Sequence, residues 1–405
     1  MPSGATAPAT EMAAEIVVAL ERRPGPFDPT AAERLESELG RRFPGRPARV
    51  LVVRVQGGAA SLVPADDPAL MASPGPDGAA GLPGPEGALA ALLRTGAERG
   101  AAAMALVAPG RDAGGGDWLG KLLAPVVEEG FDCVRPAYLR HRHDAPLNTG
   151  VVYPLLRAAF GKRLRQPLGG ETALSLTLAR RLVMDPDWRR DAGSAGSDAW
   201  LLAKVLAGRE RVCQAWLGAW PGASAPPEDA SDALARALGQ IFHELERHAT
   251  RWQRIDGSED APVFGTPGAL EGEPPRVDLA FLLDAFRLGQ SELAPIWSHV
   301  LPPATLLALR RCAACSPETF QLDDGLWARI VYDFAVAWFA KLVERRQLLA
   351  SMTPLYRGWM AGFLRATRNL DDAGTEARVE GICRAFEQEK RYLIARWRWP
   401  DSFNP

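Results

Sequence analysis

Short apolar runs alternate with helical patterns through the first half of the chain, and the alternation stops after Gly218. Glu15-Ile-Val-Val-Ala-Leu20 reads as a buried strand, and Ala48-Arg-Val-Leu-Val-Val-Arg-Val55 as the next. Ala102 to Ala108 supplies a third, and Cys133 with Val134 a fourth, shorter one. Between them lie helical segments. One runs from Pro29 to Arg42, with Asp28 placed as an N-cap just ahead of the proline. Another opens at Gly84-Pro-Glu-Gly87 and runs to Arg99, and a third starts near Asp117. Such alternation predicts an α/β fold, a mostly parallel sheet with helices on both faces. Ligands in such sheets bind beyond the carboxyl ends of the strands. Residues Gly57 to Gly84 are rich in Gly, Pro, Ala and Asp and read as a long loop. The Gly-Pro stretch from Gly75 to Gly87 is too short and irregular for a collagen helix.

After Gly218 a Pro/Ala/Asp-rich linker, Ala219 to Asp232, leads into a region where no further strands are expected. Ala233 to Arg254 is helical, with Leu234, Leu238, Ile241, Phe242 and Leu245 on one face. A loop spans Asp256 to Arg276. Trp327, Ile330, Val331, Phe334, Trp338 and Leu342 recur at helical spacing and form a core stripe. A last helix, Glu376 to Trp399, ends in Arg396-Trp-Arg-Trp399. That run either grips a ligand by stacking or packs the terminal helix, within the chain or as a homodimer contact. The expected division is residues 1–225 as an α/β domain and 226–405 as a helical C-terminal domain.

With 405 residues and 47% hydrophobic content the chain can bury one large core or two ordinary ones. Its net charge of -2 argues against nucleic acid or an anionic membrane surface as partner. No apolar run reaches the roughly 18 residues of a membrane span, and Met1 to Thr10 lacks the features of a signal peptide. A cytoplasmic location is the expectation. Five cysteines, widely scattered, do not make a disulfide framework. Cys312-Ala-Ala-Cys315 has redox or zinc spacing, but no second Cys or His pair follows at a suitable distance, so structural thiols are expected.

The segment Arg165-Gln-Pro-Leu-Gly-Gly-Glu171 is a glycine-rich turn closing on a carboxylate, and Ser197-Asp198-Ala-Trp200 places a second carboxylate at a helix start. Paired glycines let backbone approach a ligand closely, and two acids nearby suit the hydroxyls of a sugar. Asp198 reads equally as a helix N-cap or first-turn acid.

Tyr153-Pro-Leu-Leu-Arg157, Gly161 to Glu171 and Val212-Cys-Gln-Ala-Trp-Leu-Gly218 together resemble the nucleotide-sugar glycosyltransferases related to mannosylglycerate and glucosylglycerate synthases. The resemblance implies a GT-A fold and transfer of a hexose from a nucleotide-diphosphate sugar to a small, glycerate-like hydroxy acid or a sugar, with retention at the anomeric carbon. It implies that Leu168, Gly169 and Gly170 bind the donor, that Glu171 closes their turn, and that Asp198 lies beside the reacting sugar. Arg140-His-Arg-His-Asp144 through Asn148 resembles the acceptor loop, with Arg140, His143 and Asn148 as its contacts and Arg140 suited to a bidentate carboxylate bond. His141 and His143, beside Asp144, read alternatively as metal ligands on an extended loop or as part of a solvated polar loop.

Relatives of this type use Mg or Mn held by Asp-x-Asp and a later His. Here Ala108 and Gly110 stand at the aspartate positions, and Gly218-Ala-Trp-Pro-Gly-Ala223 contains no His. No metal ligand is assigned; Arg111 is the candidate substitute cation for the diphosphate. In the family's Gly-Lys-Gly position stands Pro85-Glu-Gly87, so Glu86 would repel a diphosphate. These departures support a second reading, a catalytically degenerate homologue that keeps the fold and serves as a binding or assembly protein.

Overall fold

A computed structural model describes residues 15–22, 28–56, 59–68, 70, 87–108, 117–185, 197–220, 230–267 and 277–400. Eight strands form one mixed, mostly parallel sheet, in the order β3 (Ala59–Pro64), β2 (Ala48–Gln56), β1 (Ile16–Leu20), β4 (Ala103–Val107), β7 (Thr172–Ser175), β5 (Cys133–Leu139), β8 (Val212–Ala219) and β10 (Val263–Phe264). A two-stranded sheet pairs β6 (Lys162–Arg163) with β9 (Glu259–Asp260). The chain forms two compact units, residues 1–134 with 171–190, and residues 135–170 with 191–405.

In the first unit, β1 pairs in parallel with β2 on one side and β4 on the other. All five residues of β1 are at most 2% exposed, as expected for a strand covered on both faces. The helices α1 (Thr30–Arg42), α2 (Ala88–Arg99), α3 (Trp118–Val127) and α5 (Leu176–Val183) form two pairs, α1 with α3 and α2 with α5. Asp28 caps the approach to α1, accepting from the Thr30 amide at 3.0 Å. Glu128 clamps Arg42, tying α1 to the end of α3. Strand β7 runs antiparallel to β4, so Thr172, its first residue, lies opposite Leu106 at the carboxyl end of β4.

Strands β3, β5 and β7 depart from the sequence expectation. Residues 59–64, expected within a long loop, form β3, which doubles back on β2; Ala-Ala-Ser-Leu-Val-Pro is too small and too weakly alternating to signal a strand. Strand β5 continues past Val134 to Leu139, because Arg135 and Pro136 interrupt the apolar run without ending the strand. The four-residue β7 carries no periodicity of its own.

The second unit is dominated by α4 (Tyr153–Phe160), α6 (Ser197–Ala207), α7 (Ala230–Arg247), α8 (Leu279–Glu292), α9 (Asp324–Ala340), α10 (Arg345–Thr367) and α11 (Asp372–Arg398). The short strands β9 and β10 lie beyond the linker where none was expected; two residues each leave no pattern to read. Most of the predicted stripe is core: Trp327, Ile330, Val331 and Phe334 are fully buried on α9 and Trp338 is buried, whereas Leu342 lies past the helix end and is half-buried. Trp397 stacks on Phe339 with centroids 4.5 Å apart and meets Trp252 edge-on at 5.3 Å. Arg396 is buried and pairs with buried Asp333 at 3.1 Å. The aromatic-basic run thus packs the terminal helix within the chain, and Trp399 stands 71% exposed. Arg157, 1% exposed on α4, is clasped by Glu380 and Glu387 of α11. All five cysteines are free, and burial pushes the Cys312 thiol above its ordinary value. No described helix is long and apolar enough to cross a membrane.

Candidate functional site

The segment 165–168 runs beside β5 without forming a strand, and three amide side chains hold it. Pro136 and Pro167 have no N–H to give a ladder. In its place, Gln166 accepts from the Tyr138 amide at 3.1 Å and donates to the Tyr138 carbonyl at 2.7 Å. Gln214, on β8 and 2% exposed, accepts from the Arg165 amide at 2.8 Å and donates to the Pro136 carbonyl at 3.4 Å. Asn148 donates to the Leu168 carbonyl at 2.8 Å and accepts from the Leu168 amide at 3.0 Å. It is 3% exposed and opens a π-turn, Asn148–Val152, whose Gly150 carbonyl accepts from the Trp327 indole at 2.7 Å. The core under α9 thereby sets the position of the amide that grips Leu168.

The two glycines that follow are required by space and by backbone angle. A Cβ on Gly169 would sit 2.3 Å from Pro136 Cγ. Gly170 has φ +84°, in the left-handed region that side chains avoid. The turn they make points both amides at one oxygen of Asp198, each at 3.3 Å. The other Asp198 oxygen accepts from Nη2 of Arg135. Arg135 is fully buried on β5, whereas the Asp198 side chain is 30% exposed. Among the described residues, the Nε and Nη1 atoms of Arg135 have no hydrogen-bond partner. Asp198 sits in the first turn of α6, but its carboxylate serves Gly169, Gly170 and Arg135. Glu171 follows directly and is 1% exposed where the chain enters β7.

The Arg140–Asp144 loop leads into Asn148. Its arginine guanidinium lies 3.6 Å from the Trp220 ring centroid and 5.6 Å from that of Tyr138, a cation–π contact on two rings that meet edge-on at 5.0 Å. Trp220 is held there by its amide, which donates to the Leu139 carbonyl at 3.0 Å. His143 is 3.0 Å from the Thr367 hydroxyl through Nε2. That hydroxyl already donates to the Phe363 carbonyl at 2.8 Å, so the imidazole is the donor in the first bond. Burial, with His141 and Arg142 beside it, holds His143 down to about 4, so it is neutral at physiological pH. The His143 amide donates to Nδ1 of His141 at 3.2 Å, which occupies that lone pair. Ala145 has φ +52°, an uncommon backbone for a residue with a side chain.

The turn Leu168–Gly170, Asn148 and Asp198 are thus brought together, while Arg140 and His143 turn toward Trp220 and Thr367. Arg111 and Glu86 lie outside the described residues, as does Gly110. Sequence reasoning missed Arg135, Gln166 and Gln214. The signal for Arg135 was a charge inside an otherwise apolar strand, Cys133-Val-Arg-Pro-Ala-Tyr-Leu139. The two glutamines carry no such mark, because amides are at home in loops and on surfaces.

Among the described residues no group of three or more His, Cys, Asp and Glu is placed to hold a metal ion. Ala108, at the first of the two aspartate positions, has no oxygen to offer beyond its backbone. These residues do not fit the Mg or Mn implied by the resemblance. Two cavities lie elsewhere. One of about 470 Å³ is lined at the foot of α6 by Gly208, Glu210 and Arg251, and one of about 450 Å³ by Glu36, Val50 and Asp66. No family model matches the chain, and no curated protein matches it. What the fold and the site define is an α/β protein with a glycine turn whose two amides meet the Asp198 carboxylate.

Proposed function

We propose that this chain is a GT-A-like glycosyltransferase-type protein whose Leu168–Gly170 turn and Asp198 line a subsite for a nucleotide-diphosphate hexose. Its acceptor is a small hydroxy acid or sugar, approached by the Arg140–Asn148 loop. One observation carries the reading: Asp198 meets the amides of Gly169 and Gly170 across 29 and 28 residues of chain. A carboxylate and a close-approach glycine turn at one spot suit the hydroxyls and oxyanions of a sugar phosphate. In this reading Arg111 meets the diphosphate in place of a metal.

A specific observation also favours the second reading, a degenerate homologue acting as a binding or assembly protein. Both Asp198 oxygens are committed to protein groups, and the described residues offer no metal cluster. Calorimetric titration with UDP-, GDP- and ADP-sugars, with and without Mn²⁺, separates the two. The transferase reading expects saturable donor binding that is independent of Mn²⁺, and donor hydrolysis that Arg111→Ala abolishes even though chelator leaves it unchanged. Absence of binding by all three donors overturns it in favour of the second.

A further inference from the structure

We infer that the position filled by the Asp198 carboxylate is an oxyanion site, with Asp198 its internal occupant, displaced when a small external anion binds. The inference rests on the proposed function only for the class of anion, a carboxylate or a phosphoryl group of a substrate.

Arg135 carries the argument. Its side chain is fully buried, yet among the described residues Nε and Nη1 have no acceptor and Nη2 has Asp198. Buried polar groups in folded proteins are almost always bonded, and a buried guanidinium short of acceptors is the most costly kind of exception. An anion seated bidentate on Nη2 and one neighbouring nitrogen would satisfy one of the two. The glycine amides point the same way. Two successive N–H groups converge on one oxygen, the concave arrangement that binds anions in many proteins. At 3.3 Å each, they stand farther from Asp198 than the roughly 2.7–2.9 Å of a close charge-assisted bond. Asp198 therefore fills the nest loosely.

The nest does not depend on its occupant for its shape. Leu168 is locked through both its amide and its carbonyl by Asn148, and Gly169 is packed on Pro136. Asp198 is also the open side of the site, being 30% exposed where Arg135 is sealed. An entering anion meets Asp198 first and reaches the guanidinium as the carboxylate leaves. The exchange is charge for charge, so the buried cation is never left unpaired.

The test uses the full chain and two probes, inorganic pyrophosphate and D-glycerate, titrated separately by calorimetry into wild type and Asp198→Asn. Removing the internal charge should tighten binding of one probe by about tenfold or more, and adding Arg135→Gln to the same variant should abolish the gain. Tightening for pyrophosphate assigns the nest to a phosphoryl group, and tightening for glycerate to a carboxylate. Equal or weaker binding of both probes in Asp198→Asn overturns the inference. Should that variant not fold, wild type labelled with ¹⁵N-glycine carries the test. The Gly169 and Gly170 amide resonances should move on saturation with one probe, and their standing still with both overturns it. A gain for pyrophosphate without any nucleotide-sugar binding keeps the nest and removes the transferase reading. Nucleotide-sugar binding that Asp198→Asn leaves unaltered does the reverse.

Discussion

Arg135 is a full positive charge inside a strand, and its stability depends on one carboxylate. Truncating Asp198 to Ala leaves that charge unpaired, so unfolding in urea should show a loss of about 3–5 kcal/mol. Asp198→Asn, which keeps an acceptor for the guanidinium, should lose clearly less. Asn148→Ala removes both bonds to the Leu168 backbone from a buried position, and a loss of about 1–3 kcal/mol is expected in the same measurement. At this scale the sequence was partly legible. Gly169, Gly170 and Asp198 stood out by type and neighbourhood, Asn148 only through the resemblance and as an acceptor contact, and they meet. Arg135 did not stand out, because the partner that makes sense of it lies 63 residues away. Gln166 and Gln214 act only through the backbone carbonyls and amides they reach, and residue type cannot show where those will be.

Two titratable groups, one half-buried and one buried, give single elements opposite responses to acid. His143, ordinarily near 6.5, is held down to about 4 in the loop before the π-turn. Below pH 6.5 the unfolded chain takes up a proton that the folded loop refuses until about pH 4, so stability falls as pH drops through that window. Allowing for the solvent that reaches the half-buried ring, the loss is about 1–2 kcal/mol. Asp333, on α9, is pushed up from 3.8 to about 6 by burial, against the pull of Tyr392 and Arg396. There the folded chain holds the proton more tightly, so stability is gained as pH falls from about 6 toward 3.8. Urea melts between pH 7 and pH 4 should therefore separate two variants. His143→Gln should flatten the acid loss, and Asp333→Asn should steepen it. A third prediction belongs to α11. Trp397, wedged between Phe339 and Trp252, should cost about 3–5 kcal/mol when replaced by Ala, read as a shift in the urea midpoint without a change of slope. The long helices were readable because 3.6-residue periodicity accumulates over several turns. The short strands β3, β7, β9 and β10 were not, since pairing with distant chain rather than local pattern creates them.

Over the whole molecule, the alternation of strands and helices was enough to expect an α/β sheet followed by helices, and that coarse architecture is present. The order of strands was not readable, because it depends on which edges remain free when each segment arrives. Strand β7 makes the point. It lies between β4 and β5, although both are complete well before Thr172 in the chain. Until Ser175 has been synthesised, the strand that pairs with both β4 and β5 is missing. That strand is a keystone of four residues, delivered by the same turn that carries the anion nest. Damage to the Gly-Gly turn should thus surface in the yield of assembled protein made by ribosomes, before any ligand is offered to it.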